Sequence, residues 1–181
     1  MNLHSPVFHT ILSLREQARV TNAWLAERVH RILPEVMRRE GLDMWIVVAR
    51  EYNEDPVLMT LLPAPMLSAR RRTILVFHAP RDGEFEALAI ANAGIGLDEP
   101  YRPVWDKPKE GLASETQEEC LRRTVAERAP ERIGINVSET TAFGDGLSHS
   151  EHRLLLDALG PELAARTVSA ERVAVGWLET R

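Results

Sequence analysis

Two histidines close together form the pattern most suggestive of metal chemistry in this sequence. His149 and His152 stand three residues apart, a spacing that places both imidazoles on one side of a helix. A metal would need further ligands, and Asp145 and Asp157 are possible extra carboxylates, since Glu151 is already explained as a helix-capping partner of Ser148. The two aspartates fit a loop residue and a solvated helix residue better than a ligand pair. We therefore expect no metal site here.

A polar cluster directly follows an apolar stretch at residues 44–49. Glu51, Tyr52 and Asn53 open this cluster, and open α/β sheets place ligands beyond the carboxyl ends of their strands. The competing interpretation is a loop leading into an apolar turn, with Asp55 or Asn53 as its helix cap. The two interpretations have equal support from the sequence.

Other motifs have weaker claims to function. Residues 70–72 are three arginines that could hold an anion, but a solvated strand entrance explains them better. Gly94 and Gly96 lack the third glycine of a dinucleotide loop, so we reject nucleotide binding. Cys120 has no histidine at a telling spacing, which favours a structural thiol. Asn136 begins an Asn-Val-Ser glycosylation match that we interpret as chance.

Composition restricts the classes of protein to consider. The 181 residues include 22 Lys plus Arg and 27 Asp plus Glu, a net charge of -5 that disfavours nucleic acid as a partner. No long apolar stretch suggests a membrane span, and the first residues do not resemble a secretion signal. With a single cysteine, the sequence predicts a soluble cytoplasmic protein.

The first half of the chain predicts a helix, a strand and a hairpin. Apolar residues recur at three- and four-residue steps over residues 21–40, with Pro34 kinking or dividing the helix and Gly41 closing it. Residues 44–49 read as a central strand. Residues 73–79 and 85–91 are expected to pair antiparallel through a tight Asp-Gly turn with positive φ angles. Residues 93–111 form a long loop.

The second half predicts further helices and one strand. Ser114 and Gln117 fit a capping box at the start of a helix that runs to residue 128. Residues 132–137 read as a strand. Ser148 and Glu151 fit a second capping box, which opens a helix through residue 159 and accounts for Glu151. An amphipathic stretch begins near residue 170. This order indicates an α/β fold with a mixed sheet flanked by helices.

Three stretches of the sequence resemble the N-terminal domain of the creatinase, prolidase and aminopeptidase P family. They are residues 44–56 (MWIVVAREYNEDP), residues 68–77 (SARRRTILVF) and residues 176–181 (GWLETR). The resemblance implies the mixed-sheet fold of that domain, with a ribonuclease H-like motif. It also implies an N-terminal extension over residues 1–20, the domain itself over residues 21–176, and the start of a linker at residues 177–181.

The same resemblance implies a two-part enzyme. In the peptidase members, a C-terminal pita-bread domain supplies two Asp, one His and two Glu that bind two divalent metals, manganese, cobalt or zinc. The metals activate water to hydrolyse Xaa-Pro peptides. We expect this chain to stop before that domain and to be inactive alone, without a cofactor. Its expected roles are to shape the active-site entrance and to form a homodimer or other homo-oligomer, with Glu51, Tyr52, Asn53 and Arg70 as candidate entrance or interface residues.

Two alternatives to the enzyme fragment stay open. The chain could be a free-standing binding or scaffold module of the same fold without catalytic activity. An independent metal hydrolase built on His149 and His152 is the less favoured alternative. For the parent enzyme, the sequence does not separate a proline peptidase from a creatine-type amidine hydrolase.

Overall fold

The computed structural model describes residues 11–64, 66–92, 94, 96–97, 99–105 and 115–180. The helices are α1 (Leu14–Glu27), α2 (Leu33–Arg39), α3 (Pro56–Leu61), α4 (Gln117–Arg128), α5 (His149–Ala164) and α6 (Glu171–Glu179). A π-helical turn (Arg28–Ile32) joins α1 to α2, and a 3-10 turn (Ala142–Gly144) precedes α5. The strands are β1 (Met44–Arg50), β2 (Arg72–His78), β3 (Glu86–Ile90), β4 (Arg102–Pro103), β5 (Ile133–Ile135) and β6 (Thr167–Ser169).

The six strands form one mixed sheet in the order β4-β3-β2-β1-β5-β6. Strand β2 is antiparallel to both of its neighbours, whereas the β3–β4, β1–β5 and β5–β6 pairs are parallel. Among the described strands, β2 is therefore the one that runs against the rest. The carboxyl ends of β1, β5 and β6 meet at one edge of the sheet, and the start of β2 lies at that same edge.

Helices cover both faces of the sheet, which confirms the predicted α/β class. Trp45, Val47 and Ala49 of β1 point into a core that includes residues of α1, α2, α3 and α6. Alternate residues of the same strand point into a second core beneath α4 and α5. A strand buried on both faces needs a continuous apolar run, and β1 is fully buried over Met44–Ala49.

The first helix is longer than predicted and changes geometry near Pro34. Helix α1 begins at Leu14 rather than at residue 21, and Ser13 and Glu16 form a capping box at its start. Residues 14–20 of the predicted extension are thus helical. Proline has no N–H to donate, and the turn before it widens, so that the Leu33 amide donates to the Arg28 carbonyl. The predicted interruption takes the form of this π turn.

Two turn predictions have opposite outcomes. Gly41 adopts φ 69° directly after α2, which confirms the left-handed helix end. Strands β2 and β3 pair antiparallel as predicted, but the prediction of a tight turn between them is wrong. The last strand pair is His78 with Glu86, so residues 79–85 form the connection. Gly83 is not among the positive-φ residues, and a Cβ built on it would lie 2.9 Å from Pro80 Cγ, so the loop folds onto that ring.

The second half follows the predicted order with shifted boundaries. The capping box at the start of α4 is made by Thr116 and Glu119, while Ser114 lies outside the described residues. Within α5, Gly160 has φ 75° and breaks the helical geometry where its end was predicted, although one more turn follows. Strands β4 and β6 have two and three residues, too few for a periodic pattern. Among the described residues, no helix is both long and apolar enough to cross a membrane.

Candidate functional site

A tight turn at the carboxyl end of β1 presents an exposed tyrosine. The Asn53 amide donates to the Arg50 carbonyl at 3.1 Å, which closes the turn, and Tyr52 within it adopts φ 69°. The Tyr52 amide donates to the Glu54 carboxylate at 3.2 Å. The Tyr52 side chain is 93% exposed. A left-handed tyrosine is unfavourable and gains nothing here from burial, so this conformation points to a role outside the fold.

The segment that enters β2 runs beside this turn. The Glu51 amide donates to the Arg71 carbonyl at 2.8 Å, and Arg71 also has a positive φ, 58°. Arg70 is exposed, and its amide donates to the Thr73 hydroxyl at 3.3 Å. Two of the three left-handed non-glycine residues of the described chain, Tyr52 and Arg71, therefore lie at one edge of the sheet. The backbone hydrogen bond there joins Arg71 to Glu51, the residue before Tyr52. Such clustering is typical of functional sites.

The structure brings the four predicted site residues to this edge. Glu51, Tyr52 and Asn53 occupy the turn and the residues around it, and Arg70 precedes the strand that pairs with β1. Tyr52, Asn53 and Arg70 are exposed, whereas Glu51 is half-buried. We name this surface, with Arg50 and Arg71 added, the β1–β2 edge.

A buried polar network lies beneath the β1–β2 edge. Asp55 caps α3 by accepting from the amides of Val57 at 2.7 Å and Leu58 at 3.2 Å. The Asn136 side-chain amide donates to the second Asp55 oxygen at 2.8 Å, and the Trp45 indole N–H donates to the Asn136 oxygen at 2.8 Å. This chain of bonds joins β1, α3 and the end of β5. Of the two predicted caps, Asp55 rather than Asn53 is the one observed.

Burial sets the electrostatics of this network. Asp55, Asn136 and Trp45 are all essentially inaccessible to solvent. Burial raises the pKa of Asp55, and the donors from Asn136, Leu58 and Val57 oppose that rise. Gly146 packs against the carboxylate so closely that a Cβ built there would lie 2.3 Å from Asp55 Cγ. The network therefore has little room to rearrange, and it holds the residues just before α3 in place.

Asn136 is the supporting residue that sequence reasoning missed. Its Asn-Val-Ser context suggested only a chance glycosylation match, and it lies directly after β5, which ends at Ile135. A polar residue directly following a buried strand is the signal that could have identified it, because buried amides need partners. Its partners come from β1 and from the start of α3, far away in sequence.

Arg72 differs from the two arginines before it. Its guanidinium donates to the Glu151 carboxylate at 2.7 Å and to the Glu118 carboxylate at 2.8 Å. The solvated-entrance interpretation is therefore wrong for Arg72, which ties β2 to α4 and α5. Glu151 is buried and its carboxylate faces Arg72.

The second predicted capping box is correspondingly incomplete. The Ser148 hydroxyl accepts from the Glu151 amide at 3.4 Å, so Ser148 is the N-cap as predicted. The Glu151 side chain does not return the bond, because the half-buried Arg72 guanidinium is its partner. A carboxylate forms a stronger hydrogen bond with a charged guanidinium inside the fold than with a backbone amide in contact with solvent.

The remaining predicted motifs do not form a site. Within the part of the chain that the structure describes, no group of three or more His, Cys, Asp or Glu is placed to hold a metal ion, and this includes His149 and His152. The Asp145 carboxylate accepts from the Ser138 amide at 3.1 Å. Cys120 is buried, and burial raises its pKa, which disfavours a reactive thiolate. Of the Gly94 motif, residue 95 lies outside the described residues.

Comparison with known proteins adds no assignment. No protein-family model, no curated protein and no solved structure matches the chain. Support for any function therefore comes from the sequence and from the geometry of the β1–β2 edge.

Proposed function

We propose that this chain is the non-catalytic N-terminal domain of a dinuclear metallo-aminopeptidase of the Xaa-Pro type. In this proposal it shapes the active-site entrance and forms the interface of a homo-oligomer. The finer fold assignment, a creatinase/prolidase N-terminal domain with its ribonuclease H-like motif, belongs to the same proposal. Its sequence support is the resemblance of residues 44–56, 68–77 and 176–181 to that family.

One structural observation carries the proposal. Two of the resembling stretches, residues 44–56 and 68–77, pair as β1 and β2. The first leaves β1, and the second enters β2, at the strained, exposed β1–β2 edge. An entrance surface needs side chains that reach outward from a rigid support, and Tyr52 and Arg70 meet that need above the buried Asp55 network.

The chemistry would belong to a second domain. Two divalent metals held by a pita-bread domain would supply a water of lowered pKa for amide hydrolysis. The residues of this chain would act by orienting a peptide and by contacting the neighbouring domain. Tyr52 offers an aromatic surface and a hydroxyl, and Arg70 offers a guanidinium that can pair with a carboxylate or a carbonyl.

A free-standing binding or scaffold module of the same fold is the second candidate. The observation that favours it is the composition of the β1–β2 edge. Tyrosine and arginine are the residue types that dominate the binding energy of protein interfaces, and they need no catalytic domain to act.

The natural gene product that contains these residues tests the proposal. We expect its reading frame to continue past residue 181 into a domain with two Asp, one His and two Glu, and the purified product to hydrolyse Xaa-Pro peptides when supplied with manganese, cobalt or zinc. The 181-residue chain alone is expected to show no turnover. A gene product without that ligand set, and without hydrolysis of any Xaa-Pro peptide, would favour the scaffold module.

Variants of the same gene product test the entrance role. Tyr52→Ala and Arg70→Gln are each expected to raise KM for a Xaa-Pro peptide about three- to tenfold with kcat changed less than about twofold, because they remove binding contacts and no reacting group. Arg38→Gln, at an exposed arginine on α2, is the matched control and is expected to leave both constants unchanged. An unchanged KM in both edge variants would show that the β1–β2 edge does not contribute to the active-site entrance.

A further inference from the structure

Three arginines of the β1–β2 edge have no acidic partner among the residues that the structure describes. Arg50, Arg70 and Arg71 are exposed, and within the described chain none of their side chains forms an ion pair or a hydrogen bond. The β1–β2 register places Arg50 opposite Arg72, and the Glu51 amide bonds to the Arg71 carbonyl at 2.8 Å. The backbone thus brings all three together.

The local contrast with Arg72 is informative. Arg72 follows Arg71 directly, yet its guanidinium is occupied by two carboxylates, those of Glu118 and Glu151. The acidic residues of the neighbouring turn, Glu51 and Glu54, form no ion pair with Arg50, Arg70 or Arg71 in the described chain. Glu54 accepts the Tyr52 amide, and Glu51 is half-buried.

Large side chains on the two segments that flank this edge in sequence protrude into solvent. Tyr52 is 93% exposed, and Leu67, on the segment that leads into β2, is 87% exposed. Side chains that stand out from a surface suit a macromolecular partner better than a small ligand, which requires a concave site. Unpaired arginines beside an exposed tyrosine match the composition of interface hot spots.

We propose that the β1–β2 edge binds an acidic polypeptide segment, with Arg50, Arg70 and Arg71 pairing with its carboxylates and Tyr52 packing against it. Arginine is suited to this task because its planar guanidinium holds a carboxylate through two parallel hydrogen bonds. A nucleic acid is disfavoured as the partner because its phosphate backbone needs a broad positive field, which a chain of net charge -5 lacks, whereas a short acidic segment needs only the local arginines. The inference goes beyond the proposed function and requires no catalytic domain.

Fluorescence anisotropy with a labelled hexaglutamate peptide tests the inference on the 181-residue chain. We expect hexaglutamate to bind at low ionic strength and to weaken as salt is added, and the neutral hexaglutamine peptide not to bind. The triple variant Arg50→Gln, Arg70→Gln, Arg71→Gln is expected to lower the affinity at least about tenfold, and Tyr52→Ala about two- to fivefold.

A charge-matched control separates a local site from the general field of the protein. The triple variant Arg15→Gln, Arg38→Gln, Arg81→Gln removes the same charge from exposed arginines of α1, α2 and the β2–β3 connection. It is expected to change the affinity less than about twofold. Thermal melting of both triple variants, expected to match the native chain, verifies that each is folded.

Several outcomes would overturn the inference. They are an absence of hexaglutamate binding at low ionic strength, equal weakening by the two triple variants, equal binding of hexaglutamine, and tighter binding of an oligothymidylate than of hexaglutamate. The last would identify the surface as a phosphate site. None of these outcomes bears on Xaa-Pro hydrolysis by the gene product, so the failure of either proposal is visible without the other.

Discussion

The exposed arginines just before strand β2 contrast with the paired arginines around its last residue. At its His78 end, Glu86 accepts two hydrogen bonds from Arg128, at 2.5 and 2.8 Å, and another from Arg102. His78 lies 3.6 Å from the same carboxylate. At the other end, Arg70 and Arg71 are exposed and carry no ion pair within the described chain.

The backbone φ angles also differ between the two ends of β2. The residues at the His78 end have ordinary φ angles, whereas Tyr52 and Arg71 at the other end are left-handed. A paired arginine at a relaxed backbone is explained by the fold alone. Arginines without an ion pair in the described chain, one of them at a strained backbone, are not, and this difference is why we propose a function for the β1–β2 edge.

The largest expected effect comes from breaking the support beneath the β1–β2 edge. Asn136→Leu leaves the buried Trp45 N–H and one Asp55 oxygen without partners. Each unsatisfied buried group costs about 1–3 kcal/mol, so we expect the free energy of unfolding to fall by about 2–4 kcal/mol in urea denaturation. Ile135→Val on the adjacent strand position is the control, with an expected loss of about 1 kcal/mol. An equal loss in the two variants would show that the network contributes little.

A smaller effect is expected at the paired end. Glu86→Gln replaces the charged acceptor of Arg128 and Arg102 with a neutral amide. The Glu86 side chain is 27% exposed, and charge-assisted bonds at such sites contribute about 1–2 kcal/mol, so we expect a loss of that size near neutral pH. Glu84→Gln, at an exposed neighbour, is expected to change stability by less than about 0.5 kcal/mol.

The effect of Glu86→Gln also has a predicted pH dependence. The Arg128 hydrogen bonds lower the pKa of Glu86 in the folded chain, while burial opposes that shift. A lowered carboxyl pKa adds stability above the unfolded value, about 4.3, and this stability is lost as the pH falls through the folded value. The difference between the native chain and the variant is therefore expected to be full near pH 7 and to shrink below about pH 4. A difference that grows in acid would contradict the assignment.

Several local patterns predicted the fold correctly. The continuous apolar run of β1, the period of α2 and the cap of α5 by Ser148 are properties of neighbouring residues, and each was correct. Strand β6 was not predictable, because three residues carry no period. The tight-turn prediction was wrong because Asp-Gly allows such a turn but does not require one, and in the structure Gly83 lies close to Pro80 without a positive φ.

Of the candidate site, only the exposed residues were predictable from the sequence. Polar residues after a buried strand identified Glu51, Tyr52 and Asn53, since chain order alone places them at a sheet edge. The roles of Asn136 and Glu151 were not predicted, because their partners are distant in sequence. The local pattern indicated a chance glycosylation match for Asn136 and a capping box for Glu151. The strain at Tyr52 was equally hidden, because tyrosine gives no signal for a left-handed turn.

Relief of strain at Tyr52 is expected to stabilise the chain. Asparagine tolerates the left-handed region better than tyrosine, and the 93% exposed ring loses no burial when it is removed. Tyr52→Asn is therefore expected to raise the free energy of unfolding by about 0.5–1 kcal/mol. Leu67→Asn, at a residue exposed to the same degree but without a positive φ, is the control with no expected gain. A loss of stability in Tyr52→Asn would mean that the tyrosine serves the fold.

The smallest expected effect on the free energy of unfolding is that of removing the exposed arginines before β2. The double variant Arg70→Gln, Arg71→Gln removes two exposed guanidiniums that have no partner in the described chain, and glutamine keeps their aliphatic stems. Its free energy of unfolding in urea is expected to stay within about 0.5 kcal/mol of the native value, even though it removes twice the charge that Glu86→Gln does. A loss comparable with that of Glu86→Gln would mean that these arginines stabilise the fold. In that case the absence of partners would no longer separate the binding end of β2 from its structural end.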